Sequence, residues 1–436
     1  MSEPQGRRSV WTEERGAPPG PGLAYALWTD ACARAGWRAV PVAEQVPVAD
    51  GLGRVTAAPV RARWPSPRAD CAAMDGIAIA ASAVRGLDRA GSDGGGSDGG
   101  GGWLPAGAFE WIDTGDPLPA GTDTVVERER VSPRPDGGMA ITGGTVPRGR
   151  NVRAAGEDFP AGELLVPAGR RLRPADLAAA AAAGHAALAV ARQPVVAIIP
   201  TGDEIRPAGS VLRAGEITDS NSLMLAARCR QGGARPAVSE IQPDDPDTLA
   251  AEIRRTALSA DVVLVIAGSS RGRGDHTGAV LAQVGGVAVA GAAVRPGHPV
   301  LLGYVKLGHA RPHQPAGTAP VAGLPGYPLA AAVTFELFVM PLLAAIQGWA
   351  RPRPWRRVTL ARDWTSPPGV EEWVPVRLAR DDVTGGMVAT PPDRRGAGSV
   401  SQLARADAWW PIPEGRGQFS GGSVIEVLPV PGDADG

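Results

Sequence analysis

Between residues 194 and 350 the hydrophobic pattern switches repeatedly between two periods. Residues 195–199, 262–266, 287–294 and 300–305 are nearly unbroken apolar runs, the pattern of strands covered on both faces. Between them lie stretches with helical spacing. One passes through Leu223, Ala227 and Arg230, with Asp219 or Ser220 as its cap and Gly232 and Gly233 as its stop. Another follows a strand ending at Ile241 and opens at Asp245-Pro246; a third covers 277–284, and the most apolar covers 329–346. Such strand and helix alternation predicts an α/β domain over 194–350 with a mostly parallel sheet. Ligands gather at the C-terminal ends of strands in sheets of this kind, so loops 201–204, 267–277, 295–299 and 324–328 are expected to converge on one edge.

The flanks read differently. Residues 1–22 mix Pro, Gly and charge without a period and predict a disordered tail. Leu23, Leu27, Ala31 and Ala35 then recur at helical spacing up to Gly36, and ADGLGRV forms a second short helical unit. A β-rich lobe over about 77–155 contains the glycine-serine tract RAGSDGGGSDGGGGW, expected as a flexible loop tip, and the dense turn signal TGDPLPAG. Pro174 opens an alanine-rich helix ended near Gly184. Residues 351–436 hold short runs such as VPVRLA and SVIEVLPV divided by Gly and Pro, a small all-β domain with the look of a partial barrel. The predicted architecture is multidomain α/β and β: an N-terminal region over 23–193, part helical and part β-rich; a central α/β domain over 194–350; and a C-terminal β-barrel-like domain over 351–436.

Composition narrows the function classes. A net charge of −1 over 436 residues gives no basic footprint for nucleic acid or an anionic membrane. No apolar run is expected to reach the length of a membrane span, and the first residues have no apolar core of a secretory signal, so a cytoplasmic location is expected. Cys32, Cys71 and Cys229 are scattered and odd in number, which argues against a disulfide framework or a cysteine metal site. Lys306 is the only lysine among 44 basic residues, so arginine stands where another chain would use lysine.

The candidate chemistry lies in acids set in glycine-rich loops. Oxygen ligands of this kind suit Mg²⁺, which often bridges to phosphates. The small-residue loop AGSSRGRGDHT, backbone N–H groups at 268–275 and 296–298, and Arg295 suit a phosphate or another tetrahedral oxyanion. No serine triad, Walker A loop or dinucleotide fingerprint is present. Simpler readings stand beside these: Asp75 as a turn aspartate before Gly76, Thr114 and Asp116 as turn stabilisers, and His185 as a surface or capping residue without a ligand partner. Residue chemistry alone ends at an α/β protein that binds a phosphorylated ligand.

Taken in order, PVADGLGRV, AAMDGIAIA, TGDPLPAGTDTVV, GRNVRAAGEDFPAG, VAIIPTGDEI, ITDSN, ADVVLVIAGSS, AVRPGHPVLLG and GLPGYPLAAAVTFELFV resemble the MoeA and gephyrin family of molybdopterin molybdenumtransferases over about residues 23–430. The AGSS and LPGYP forms are more similar to its archaeal-type branch. The resemblance implies an enzyme of molybdenum cofactor synthesis that takes molybdate and adenylylated molybdopterin as substrates and releases AMP. It also implies four structural domains and an elongated homodimer whose cleft joins the α/β domain of one subunit to the N-terminal region of the other. The molybdopterin adenylyltransferase and molybdoenzyme acceptors are its implied protein partners.

Carried over by motif, the functional acids are Asp75, Asp158, Glu204, Asp244 and Asp275. Of these, Asp75, Asp158, Glu204 and Asp275 are the implied Mg²⁺ ligands. For Asp244, helix capping beside Asp245 stands as an equal alternative. The implied substrate-binding positions are Thr114, Gly202, Asp203, Gly268, Ser269, Ser270, Arg295, Pro296, Gly297, His298, Pro325 and Gly326.

Three departures from the family pattern stand out. Its Lys-x-x-x-Lys-Pro-Gly-Lys-Pro becomes Gly291, Arg295 and His298, so Arg271 or Arg273 is expected to substitute for lost charge. Arg295 keeps a cation with a better oxyanion fork, whereas His298 keeps one only when protonated. The AGSSR loop also replaces the usual form. These losses leave open a second reading, a catalytically degenerate relative that binds or carries the cofactor. A third, molybdopterin adenylylation, lacks the Gly-Gly-Thr-Gly loop it needs.

Overall fold

The computed structural model describes residues 17–86, 101–267, 276–309, 317–383 and 385–430. Residues 1–16 of the expected 1–22 tail, most of the glycine-serine tract and the loop 268–275 therefore lie outside the described residues, and the last two residues of that expected tail, Pro21 and Gly22, are helical. The chain divides into two compact units: Gln45–Val190, and Met1–Glu44 together with Ala191–Gly436.

In the larger unit, six strands form one sheet in the order Arg235–Val238, Val195–Pro200, Val262–Ala267, Thr318–Pro325, Leu301–Lys306 and Gly285–Ala290. The first four are parallel, and Leu301–Lys306 is antiparallel to both of its neighbours. The unbroken apolar runs have a direct cause. Val196, Ile198, Val262, Leu264, Ile266, Ala322 and Leu324 enter one core, while Ala197, Ile199, Val263, Val265 and Val321 enter another on the opposite face. Helices cover both faces, so neither row of side chains can be polar.

The first helix spans Pro21–Arg34 and begins two residues earlier than the sequence period predicts, with proline in its first turn. Its buried face also differs from the expected one. Ala24, Trp28 and Cys32 are buried, whereas Leu23 and Leu27 are exposed. Trp28 sets this choice, because its large ring fills the core and its Nε1 donates to the Gly303 carbonyl at 2.7 Å.

The most apolar helix runs from Pro328 to Gln347, with a π-helical stretch at Phe335–Val339. Pro341, which has no N–H to offer the preceding turn, lies just beyond that stretch. At 20 residues the helix reaches the length of a membrane span, contrary to the expectation that no run would; 83% of its most apolar window is buried within the fold, so it is a core helix.

The C-terminal strands close a small barrel. Glu371–Arg380, Met387–Thr390, Arg356–Leu360, Val424–Pro429 and Ala408–Ile412 pair in that order, and the last pairs back to the first. Val358, Val374, Val376, Trp410, Ile412 and Val427 fill it. The short strand Val294–Arg295 adds to the Glu371–Arg380 strand in parallel, which pins loop 295–299 to the barrel.

The smaller unit contains two three-stranded sheets around Ile77, Ile79, Leu104, Val126 and Ile141. Gly76–Ile79 is buried at every position rather than alternating. The expected ADGLGRV helical unit is a single 3₁₀ turn at Val48–Asp50. The alanine-rich helix ends at Ala182, close to the expected stop near Gly184, and Ala187–Ala191 beyond it is a strand. His185 bonds through Nε2 to the Arg61 carbonyl at 2.8 Å, a structural contact.

Candidate substrate site

Along the C-terminal edge of the large sheet, the strand Val195–Pro200 feeds loop 201–204. Thr201 donates through N and Oγ1 to the Ile266 carbonyl, each at 3.0 Å, and the Gly202 N–H donates to the Gln242 carbonyl at 3.1 Å. Asp203 and Asp244 then bond reciprocally: the Asp203 N–H lies 3.4 Å from Asp244 Oδ2, and the Asp244 N–H lies 3.3 Å from Asp203 Oδ1. Asp245 performs the capping, since its Oδ1 accepts from both Thr248 N and Thr248 Oγ1. Helix capping therefore falls to Asp245, and Asp244 holds the neighbouring loop instead. Glu204 is exposed, and its carboxylate takes no hydrogen bond from a described residue.

Asp219 is the acceptor for the next helix, through Ser222 N–H at 2.9 Å, and Asn221 Nδ2 donates to the Gly326 carbonyl at 2.7 Å. Asn221 thus ties the ITDSN segment to the turn after Pro325, the last residue of its strand. A hollow of about 750 Å³ opens beside Asp203, Ile205, Ser222, Leu223 and Val238.

At the other end of the same edge, loop 295–299 and the barrel enclose a cleft of about 490 Å³. Arg295, His298, Leu329, Trp364, Trp373 and Arg395 are among its lining residues. Pro296 also lines it, and Gly297 packs so closely on the core helix that an added Cβ would come within 2.7 Å of Thr334 Cγ2. With a φ of +121° as well, position 297 excludes a side chain.

His298 Nδ1 lies 2.9 Å from the Ala292 carbonyl. A carbonyl can only accept, so Nδ1 carries the hydrogen and a neutral ring leaves Nε2 with a lone pair. Arg295 is exposed and makes no ion pair with a described residue. Arg395 donates Nε to Glu372 Oε1 at 2.8 Å, and Trp364 Nε1 donates to Glu372 Oε2 at 3.0 Å. None of Arg395, Glu372 and Trp364 is among the residues that the sequence motifs pick out. Glu372 lies in the run EEWVPVRL, residues 371–378, whereas Trp364 lies outside it.

In the smaller unit, Asp75 Oδ1 accepts from Thr114 N at 2.7 Å and from Thr114 Oγ1 at 2.6 Å. These bonds, with the Arg128 charge behind them, hold the Asp75 carboxyl below its ordinary range. Thr114 therefore pairs with Asp75 rather than with its own turn, where Asp116 Oδ2 accepts the Asp113 N–H at 3.3 Å. Asp158 is exposed, and its carboxylate takes no hydrogen bond from a described residue. Gly268, Ser269, Ser270 and Asp275, with Arg271 and Arg273, lie outside the described residues.

Three family profiles match the chain in series: "MoeA N-terminal region (domain I and II)" over residues 27–184, "Probable molybdopterin binding domain" over 197–345, and "MoeA C-terminal region (domain IV)" over 357–430. A Mycobacterium tuberculosis protein named molybdopterin molybdenumtransferase 2 is 32% identical over 411 residues, covering 88% of this chain and 94% of its own. The chain belongs to the MoeA family. A molybdopterin molybdenumtransferase of a Nostoc species is 30% identical, covering 87% of each chain. Among solved structures, a MoeA protein from Pyrococcus horikoshii superposes with a TM-score of 0.74 at 29% identity, covering 94% of this chain and 98% of that one. Sheet edge, cleft and barrel described above thus belong to a MoeA fold.

Proposed function

We propose that this MoeA-family chain inserts molybdate into adenylylated molybdopterin and releases AMP. The observation that carries this reading is the pairing, on one sheet edge, of a cleft lined by Arg295 and His298 with the coupled acids Asp203 and Asp244. The relatives' names give the substrate class. Cations and backbone N–H groups receive a tetrahedral oxyanion, and the acid end is suited to the work of breaking a phosphoanhydride.

The acids offer oxygen donors alone, which fits Mg²⁺. Among the described residues no three potential metal-binding side chains meet in one group, so the ion would take part of its shell from pyrophosphate oxygens and water. Asp75, Asp158, Glu204 and Asp275 are the proposed ligands by family motif; the three that are described do not meet in one group within the chain, so in this reading they come from two subunits of the proposed homodimer, where the ion would neutralise pyrophosphate charge. Asp244 fixes the loop that carries Glu204. Thr114 fixes one oxygen of Asp75 and leaves the other open.

A homodimer, a supplying adenylyltransferase and accepting molybdoenzymes complete the proposal. The carrier reading gains no support from the cleft, where Arg295, His298 and Arg395 still gather although the family lysines are gone. The test is AMP release from adenylylated molybdopterin by the purified full chain with molybdate or tungstate, beside Asp75→Asn and Asp158→Asn, with sedimentation measuring the dimer. Molybdate-dependent release that both variants lose supports the reading; a wild-type chain that binds the adenylate and releases no AMP sinks it.

A further inference from the structure

We propose that Arg395, on the loop before the small helix of the barrel domain, is an oxyanion-binding residue of the cleft beside Arg295 and His298. This inference rests on the proposed function, because it assigns the cleft to the molybdate end.

Barrel closure brings Arg395 to the cleft. Its loop is tied to the core helix through the Leu329 N–H, which donates to the Ala397 carbonyl at 3.0 Å, and to the small helix Val400–Ala404 through Gln402 Nε2, which donates to the Arg394 carbonyl at 2.7 Å. The guanidinium carbon lies 4.2 Å from the centroid of the Trp364 ring. Trp364 is in turn held by Glu372 and lies in a tilted contact with Trp410 at 6.5 Å. Nε of Arg395 is bonded to Glu372 and Nη2 to the Thr365 carbonyl. Stacked on one face and fixed at two nitrogens, the group has lost most of its rotamer freedom before any ligand arrives.

What remains open is Nη1, which makes no hydrogen bond with a described residue, on a side chain 39% exposed. The charge balance agrees. Arg295 is in register with Glu372 across the parallel strand pair, and Arg395 is bonded to the same carboxylate. The cleft is thus lined by two arginines and one buried carboxylate, of which only Arg395 is bonded to that carboxylate, which leaves excess positive charge at the cleft and a planar N–H donor for a tetrahedral oxyanion. The plainer role of Arg395 is to neutralise Glu372, which is only 3% exposed. That role requires Nε and does not use Nη1.

The test separates the two roles through the KM values for molybdate and for adenylylated molybdopterin, measured in the AMP-release assay on the full chain. Arg395→Gln strands a buried carboxylate and can lose stability for that reason alone, so the decisive variant is the double substitution Glu372→Gln with Arg395→Gln. We expect its molybdate KM to rise about tenfold or more, the KM for the adenylate to stay within about twofold, and Arg395→Lys to recover part of the loss. A molybdate KM within about twofold of wild type in the double variant overturns the inference. So does a rise confined to the adenylate KM, or a fall in thermal stability with both KM values unchanged. An inactive wild-type chain overturns the proposed function instead, which keeps the two failures apart.

Discussion

Asp203 and Asp244 each accept the other's backbone N–H, at 3.3 and 3.4 Å, so two loops that leave adjacent parallel strands are latched by a matched pair of acids. Asn at position 244 keeps an oxygen to accept the Asp203 N–H, whereas Ala removes both latch and charge. If Asp244 serves only as the latch, Asp244→Asn keeps activity and Asp244→Ala loses it. We expect both to lose AMP release, by about hundredfold, with unfolding free energies within about 0.5 kcal/mol of wild type because the site is exposed. Paired kinetics and calorimetry decide; full activity in Asp244→Asn returns the residue to a positioning role.

Asp75 carries a pH prediction. The Thr114 hydroxyl, then the Thr114 N–H, then Arg128 hold its carboxyl below the ordinary range. A depressed folded-state pKa contributes stability that is present above the unfolded value and lost as pH falls through the folded one. Thr114→Val keeps the N–H bond and deletes the hydroxyl. Carboxyl-carbon NMR should then show Asp75 titrating at higher pH, and the acid limb of AMP release should move the same way. An unmoved Asp75 resonance would show that the hydroxyl contributes nothing.

The sheet was legible because a strand buried on both faces must be apolar at every position, as 262–266 is. The first helix was read on the wrong face because Leu23 and Leu27 outweigh Ala24 and Cys32 in hydrophobicity, while the tertiary partner of Trp28, the Gly303 carbonyl, lies 275 residues away. Ala187–Ala191 was missed because alanine favours helix, and its strand state comes from tertiary context. Among the proposed acids, Asp75, Glu204 and Asp244 are legible only through the family motifs, since residue chemistry alone makes Asp75 a turn aspartate before Gly76. The Arg395, Glu372 and Trp364 group is not legible, since its members come from three separate stretches and barrel closure, which no local period encodes, brings them together.

Glu336, 2% exposed, accepts from Arg228 and, at 2.7 Å, from Arg351. Burial pulls the Arg228 pKa down and Glu336 opposes that shift. Removing the carboxylate would leave two facing cations without their shared anion. Glu336→Gln should therefore lower the unfolding free energy by roughly 3–5 kcal/mol, read as a fall in the thermal midpoint. Replacing all three residues with apolar ones of similar volume should recover most of it. A stable Glu336→Gln would mean that water or backbone relaxation satisfies both arginines.

Gly291 looks in sequence like a lost lysine, yet its geometry shows why restoring one is costly. Its φ is +89°, its N–H donates to the Val300 carbonyl at 2.8 Å, and the next N–H, of Ala292, donates to the His298 carbonyl at 3.0 Å. An added Cβ would sit 3.4 Å from the His298 carbonyl oxygen and 3.7 Å from the ring. Gly291→Lys should therefore cost about 1–2 kcal/mol of stability from the left-handed backbone and improve molybdate KM by no more than about twofold, since strain at 291 also disturbs His298. His298→Lys places a permanent charge on an exposed position with an ordinary backbone, and should lower molybdate KM by about threefold to tenfold. Measured side by side, the two substitutions separate missing charge from backbone geometry. A Gly291→Lys chain as stable as wild type, with the larger gain in KM, would show that the position had lost only its charge.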